Sequence, residues 1–130
     1  MAYIIDTNIA IHLRDGNDRV VQILEGHRGA VFLSALSLAE LQRGLYKKPA
    51  LNPPRMVRLE AMLADIPVLA FDAAAARAYG NILAQCGWQK GRDFDRMIAA
   101  HAISTRSILV TNNVADFQDI PALQLENWVS

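Results

Sequence analysis

The sequence predicts an α/β protein with three layers, α/β/α, around a mainly parallel central sheet. Two observations carry that reading. Short β-favouring apolar runs recur along the chain, each ending in a polar residue, and stretches of helical length separate them. The runs are apolar throughout instead of alternating, which suits strands covered on both faces. Parallel strands need long crossovers, and the intervening helices supply them.

In chain order, Tyr3-Ile4-Ile5 leads into Asp6, and a helical pattern follows over Asn17–Glu25. Ala30-Val31-Phe32-Leu33 leads into Ser34. The helix Leu38–Tyr46 then carries Leu38, Leu41 and Leu45 as one apolar stripe. Lys47-Lys48-Pro49-Ala50-Leu51-Asn52-Pro53-Pro54 interrupts it, because proline has no N–H with which to continue a helix. Neither side of this break is long enough to fold alone, so it reads as a loop inside one domain spanning 1–130. Pro54–Ala64 is the next helix, with Leu59, Met62, Leu63 and Ile66 in its stripe. Val68-Leu69-Ala70-Phe71 leads into Asp72, followed by helices over Ala73–Cys86 and Phe94–Thr105. Ile108-Leu109-Val110 closes the series and leads into Thr111.

Composition narrows the function. A chain of 130 residues, 52% hydrophobic, buries a substantial core, removing roughly two-thirds of its unfolded surface from water. Thirteen basic residues balance thirteen acidic ones. This argues against simple electrostatic coating of nucleic acid but leaves room for an acidic pocket with a basic rim. The single cysteine, Cys86, has no partner for an internal disulfide or a zinc site and reads as a small apolar residue. His12, His27 and His101 show no metal-binding spacing, and His101 reads as packed or solvent-tipped. The N-terminus reaches Asp6 too early for a signal peptide. No apolar run approaches the ~20 residues of a membrane span. A soluble, cytoplasmic protein without membrane contact is expected.

Four carboxylates stand where an α/β sheet gathers its chemistry, beyond the carboxyl ends of the strands. Asp6 follows the first strand, and Glu40 lies in the first turn of the helix after the second. Asp95 opens the helix containing Met97-Ile98-Ala99-Ala100, and Asp116 lies in the loop after the last strand. Each has a purely structural alternative. Asp6 could cap a helix beginning at Thr7, and Ser37-Leu38-Ala39-Glu40 fits a capping box. Asp95 could serve the helix dipole, and Asp116 could be a turn residue. Together they are harder to explain that way, because converging carboxylates repel and would be driven to protonate without a cation. All-oxygen ligands favour Mg²⁺ or Mn²⁺, and such a pocket suits phosphodiester hydrolysis.

At these residues the chain resembles the PIN domain and, within it, the VapC group. The matching segments are Asp6-Thr7-Asn8, Ser37-Leu38-Ala39-Glu40-Leu41 with Gly44, and Asp95-Arg96-Met97-Ile98-Ala99-Ala100-His101-Ala102. They continue with Ile108-Leu109-Val110-Thr111-Asn112-Asn113, Asp116-Phe117 and the tail Leu125-Glu126-Asn127-Trp128. The resemblance implies a PIN-like three-layer fold and a Mg²⁺- or Mn²⁺-dependent endoribonuclease, the toxin of a toxin–antitoxin pair. It implies metal held by Asp6, Glu40 and Asp95, with Asp116 as a more variable fourth acid. Thr7, Asn8, Thr111 and Asn112 would orient waters or phosphate. It further implies structured RNA substrates, often tRNA, a small VapB-like antitoxin and frequent homodimerisation.

Asp93, two residues before Asp95, departs from the simplest pattern. Helical residues two apart diverge by about 200°, so only one can face the pocket, and Asp93 reads as a helix cap. Candidate RNA-facing cations are Arg14, Arg43, Lys47, Lys48, Lys90 and Arg92. For the antitoxin, the expected groove walls are the Pro54–Ile66 helix, with Met56 and Met62, and the helix before it. Two other readings compete. A Mg²⁺ phosphatase or receiver domain would want a late lysine, and no lysine follows Lys90. A catalytically silent PIN-like binding module should have lost a core acid, yet Asp6, Glu40 and Asp95 are all present.

Overall fold

The computed structural model describes residues 1–130. The elements run β1 (Tyr3–Ile5), α1 (Thr7–Arg14), α2 (Asp18–Gly26), β2 (Val31–Ser34), α3 (Ala35–Lys47), α4 (Asn52–Asp65) and β3 (Val68–Leu69). They continue with α5 (Ala73–Cys86), α6 (Asp93–Ser104), β4 (Ile108–Val110) and β5 (Leu125–Glu126). Short 3-10 turns occupy Pro49–Leu51 and Val114–Asp116. The five strands lie in the order β3-β2-β1-β4-β5, and every pairing is parallel.

Side chains alternate across a strand, so β1 divides the interior into two cores. Tyr3 and Ile5 join Ile9, Leu24, Leu41 and Leu59 on the face covered by α1 to α4. Ile4 joins Ala78, Ile98, Leu109 and Phe117 on the face covered by α5 and α6. This is the three-layer arrangement the apolar runs predict. Ile4 and Ile5 are completely buried, so truncating either to alanine costs roughly 2–5 kcal/mol.

Three elements differ from the sequence reading. Residues 7–14 form a complete helix, because the Asp6 carboxylate accepts the Ile9 N–H and fixes its first turn. The third strand is confined to Val68–Leu69, since Asp72 caps α5 through the Ala75 N–H and pulls the chain out of the sheet. As an edge strand it is not covered on both faces, and Val68 is exposed. A fifth strand, too short to show a period, closes the other edge. There the Trp128 ring follows β5 and packs 5.7 Å from the Tyr3 ring, joining the tail to the first strand.

The order of strands reverses at β1, whose neighbours are β2 on one side and β4 on the other. The register aligns Ile5 with both Leu33 and Val110, so β1 and β4 end level and β2 runs one residue further, to Ser34. A crevice opens where strands on the two sides lead their chains in opposite directions.

Candidate active site

Asp6 leaves β1 directly into this crevice. Its N–H donates to the Val110 carbonyl (2.9 Å), and its Oδ1 accepts the Ile9 N–H (2.9 Å). The cap is therefore real, and the same residue, only 8% exposed, still lines the cleft. Capping and a place in the cleft are compatible because a carboxylate has a second oxygen.

Glu40 reaches the cleft from α3. The helix begins at Ala35, with Ser34 as its cap through the Leu36 N–H (3.1 Å), three residues earlier than the sequence pattern suggests. Ser37 is thus inside the helix, buried and accepting the Thr7 hydroxyl (3.1 Å), and the capping-box reading of Glu40 fails. Glu40 pairs instead with Arg43 one turn on, at 3.5 Å. Asp95 enters from the first turn of α6, half-buried between Phe94 and Ile98.

These three acids share a cleft of about 130 Å³ with Thr7, Asn8 and Asn113. Thr111 is fully buried behind it at the end of β4, where its hydroxyl accepts the Asn113 N–H (3.0 Å). Asn112 is exposed and does not line the cleft. The Thr111–Asn113 turn presents the next asparagine, so Asn113 is the residue the sequence reading missed. The doublet Asn112-Asn113 held the signal, but only the turn geometry chooses between them. Asp116 lies at the rim, in the 3-10 turn, not among the lining residues.

Asp93 is occupied elsewhere. Its Oδ1 accepts the Tyr79 hydroxyl (2.5 Å) and the Trp88 indole N–H (2.9 Å), which leaves Asp95 as the acid facing the cleft. The expected helix cap does not form, since Arg92 precedes the helix and Asp93 is its first residue.

Electrostatics tie the acids together. Burial raises the Asp6 carboxyl above its ordinary value, opposed by the Thr111 hydroxyl and the Ile9 N–H and reinforced by the charge of Asp95. Burial also raises Asp95, with Asp116 and Glu40 adding repulsion and Arg92 and Arg96 opposing it. Asp116 is therefore electrostatically part of the cluster. No three His, Cys, Asp or Glu side chains converge into a ready ligand cage. What the cleft offers is an oxygen-rich pocket under like-charge strain. That donor set fits a hydrated hard cation, which keeps several waters and needs only one or two direct carboxylates.

A second cleft, about 280 Å³ and more apolar, opens between α1, α2 and α4. Leu13, Val21, Leu24, Met62 and Ile66 form its floor, with Arg14, Arg28 and Arg58 among its charged walls. Met62 lines this cleft and Met56 does not; its walls come from α1, α2 and α4, with nothing from α3. No helix is long and apolar enough to cross a membrane.

Comparison with known proteins extends these observations. The PIN domain model matches residues 3–123. "Ribonuclease VapC2" of Rickettsia felis is 34% identical over 134 residues, covering 98% of each protein. The "tRNA(fMet)-specific endonuclease VapC" of Shigella flexneri is 34% identical over 132 residues, again covering 98% of each. Among solved structures, VapBC2 from Rickettsia felis bound to a DNA fragment from its promoter matches with a TM-score of 0.87 at 34% identity, over 98% of this chain and 99% of that one. With the family model running from the first strand to the final loop and relatives aligned end to end, the chain belongs to the PIN-domain family, in its VapC ribonuclease branch.

Proposed function

We propose that the carboxylate cleft hydrolyses RNA phosphodiesters with one or more divalent ions, Mg²⁺ or Mn²⁺, held by Asp6, Glu40 and Asp95. The observation that carries this reading is the meeting of acids from both halves of the sheet at its switch point, where burial and then the charge of Asp95 raise the Asp6 carboxyl, and burial and then Asp116 and Glu40 raise that of Asp95. When bound, the ion neutralises the scissile phosphate, activates a water and orients in-line attack. Asp6, fixed in orientation by the Ile9 N–H, and Asp95, fixed in the first turn of α6, set the position of that ion. Asp116 acts from the rim through water. Asn8 and Asn113 offer neutral donors to waters or phosphate oxygens, and Thr7, whose hydroxyl hydrogen goes to Ser37, offers a lone pair to water. The Thr111 hydroxyl favours the ionised form of Asp6 against the effect of burial. Water adds to phosphorus, the bond to the 3′ oxygen breaks, and that oxygen takes up a proton to leave a 3′-hydroxyl end.

The substrate class is structured RNA, tRNA above all, in keeping with the name of the Shigella flexneri relative. The chain is the toxin of a toxin–antitoxin pair, acting in the cytoplasm as one domain over 1–130 and as a homodimer. Its VapB-like antitoxin occupies the apolar cleft between α1, α2 and α4. An antitoxin of this kind also delivers a basic residue to the carboxylates, where a charge-assisted pair competes with metal.

The test is cleavage of a total tRNA pool by partner-free protein with Mg²⁺, Mn²⁺ or EDTA, beside Asp6→Asn and Asp95→Asn. Metal-dependent cleavage, lost in both variants, is the expected result. Activity that persists in both variants overturns the site, and folded, metal-binding protein without activity on a broad RNA panel favours a binding-only module. Loss of antitoxin affinity in Met62→Ala, with Met56→Ala neutral, is expected of the groove.

A further inference from the structure

The loop before α6 holds the most exposed tryptophan of the chain in a fixed attitude. Trp88 is 64% exposed, whereas the other tryptophan, Trp128, is buried. An exposed indole normally samples several rotamers. Here its N–H donates to Asp93 Oδ1 at 2.9 Å, and the same oxygen accepts the Tyr79 hydroxyl. Asp93 belongs to the first turn of α6, so the indole edge is anchored to a rigid helix while its faces stay open.

The backbone is equally committed. Gly87 and Gly91 bracket the tryptophan with φ of 76° and 82°, a region where any side chain would be strained. The segment 87–92 is therefore a tight turn that presents one aromatic ring. It presents cations beside it: Lys90 is exposed, and Arg92 is near enough to Asp95 and Asp119 to stabilise both carboxylates. Asp93 and Asp95 share the first turn of α6 but diverge by about 200°, so the ring stands beside the helix start that carries Asp95, on the face turned away from the cleft.

We propose that Trp88, braced by Asp93 and Tyr79, is a stacking platform for an unpaired base of an RNA strand that runs from the cleft around the start of α6, with Lys90 and Arg92 holding the adjoining phosphates. This rests on the ribonuclease reading above and deepens it. A rigid, open aromatic face beside cations is what unpaired bases recognise, since every base has a π-face and stacking needs no sequence code. A protein partner would favour an aromatic surrounded by further apolar side chains. Here the neighbours are Gly87, Gln89, Lys90, Gly91 and Arg92.

The experiment uses the full chain carrying Asp95→Asn, with Mg²⁺ present and total tRNA as probe. Affinity is read by filter retention of labelled tRNA, which needs no tryptophan, and contact with the indole by iodide quenching of tryptophan emission in the protein that keeps Trp88. Trp128 is buried, so iodide reports on Trp88. Bound tRNA is expected to shield Trp88 from iodide. Trp88→Ala is expected to weaken tRNA binding by about 5- to 100-fold, and Trp88→Phe by much less. Asp93→Ala, which frees the indole, should fall between them. Equal affinity in the Trp88→Ala protein, with tRNA bound, overturns the platform while leaving the ribonuclease reading intact. Unchanged affinity together with loss of dimer or antitoxin binding also overturns it and makes the ring a protein contact. If the chain with its native Asp95 neither binds nor cleaves tRNA, both readings fall together.

Discussion

Arg96 and Asp119 form a two-point ion pair across 23 residues, Nη1 to Oδ1 at 3.0 Å and Nη2 to Oδ2 at 2.7 Å. The guanidinium is almost fully buried while the carboxylate is half exposed. Arg96 immediately follows Asp95, and Asp119 lies in the connection from β4 to β5 that carries Asn113 and Asp116. The pair therefore fastens one side of the cleft to the other. Asp119→Ala should cost roughly 1–2 kcal/mol, a range that allows for solvent screening of the exposed partner. Cleavage should fall by about tenfold or more, since small displacements of positioning groups are expensive. Urea titration and cleavage rates on the folded variant check both, and stability loss with full activity would show that the loop is placed by other contacts. Arg96 holds the Asp119 carboxyl below its ordinary value of 3.8. This contribution is present above that pH and disappears as pH falls through the lowered value.

Asp95 has the opposite linkage. Its carboxyl is raised above 3.8 by burial and by Asp116 and Glu40. Between 3.8 and the raised value the folded chain holds more protons than the unfolded one, so stability falls as pH rises, and the penalty is complete above that window. Asp95→Asn should then raise the melting temperature of metal-free protein at pH 7 by roughly 2–5 °C while abolishing cleavage. Divalent metal should narrow the gap by stabilising the protein that retains Asp95. Thermal melts in EDTA and in Mn²⁺ decide the matter, and an unstabilised Asp95→Asn protein would mean that the acids are not under strain.

His101 contributes a slope of contrary sign. Its Nδ1 shares a hydrogen bond with Ser34 Oγ at 2.8 Å, and burial holds the ring below its ordinary value of 6.5 against the pull of Asp72 and the Ala70 carbonyl. The neutral ring stabilises the fold above pH 6.5, and that contribution is lost as pH falls through the lowered value. His101→Phe should flatten stability across that range and cost about 1–3 kcal/mol by leaving the buried Ser34 hydroxyl without its partner. Because Ser34 caps the helix bearing Glu40 and His101 lies on the helix bearing Asp95, cleavage should fall too. Denaturant titrations at pH 5.5 and 7.5 provide the comparison.

Thr111 and Asn113 separate the neutral groups that serve the site from those that merely adjoin it. Thr111→Val removes the hydroxyl that favours ionised Asp6. It and Asn113→Ala should each lower Mn²⁺ affinity or cleavage by about 10- to 100-fold. Asn112→Ala, at an exposed position, should be near neutral. Calorimetric Mn²⁺ titration beside cleavage assays measures all three, and an inverted ranking of the two asparagines would exchange their places.

Most of the fold was legible because continuous apolar strands and helical stripes are written in side-chain type. The elements that were not legible owe their form to single hydrogen bonds. Helix α1 depends on the Asp6 cap, β3 is cut short by the Asp72 cap, and α3 begins at Ala35 because Ser34 caps it while the Ser37 hydroxyl serves Thr7. In the site, Asp6, Glu40 and Asp95 follow from position at strand ends and helix starts. The choice of Asp95 over Asp93 needed the partners Tyr79 and Trp88, and the choice of Asn113 over Asn112 needed the turn after β4. Tertiary partners of that kind leave no periodic trace.

The place of β1 in the middle of the sheet has a consequence for biosynthesis. The strand precedes the others, yet β4, its neighbour on one side, is made only after six helices, and the Trp128 ring that packs on Tyr3 follows later still. Pairing so distant in sequence forms late and slowly. A ribosome translating this message therefore carries, until β4 and the turn after it emerge, a polypeptide in which Asp116 has not yet joined Asp6 and Glu40. The synthesis of a nuclease is in this way separated in time from the onset of its action, leaving an interval in which a partner can reach the chain first.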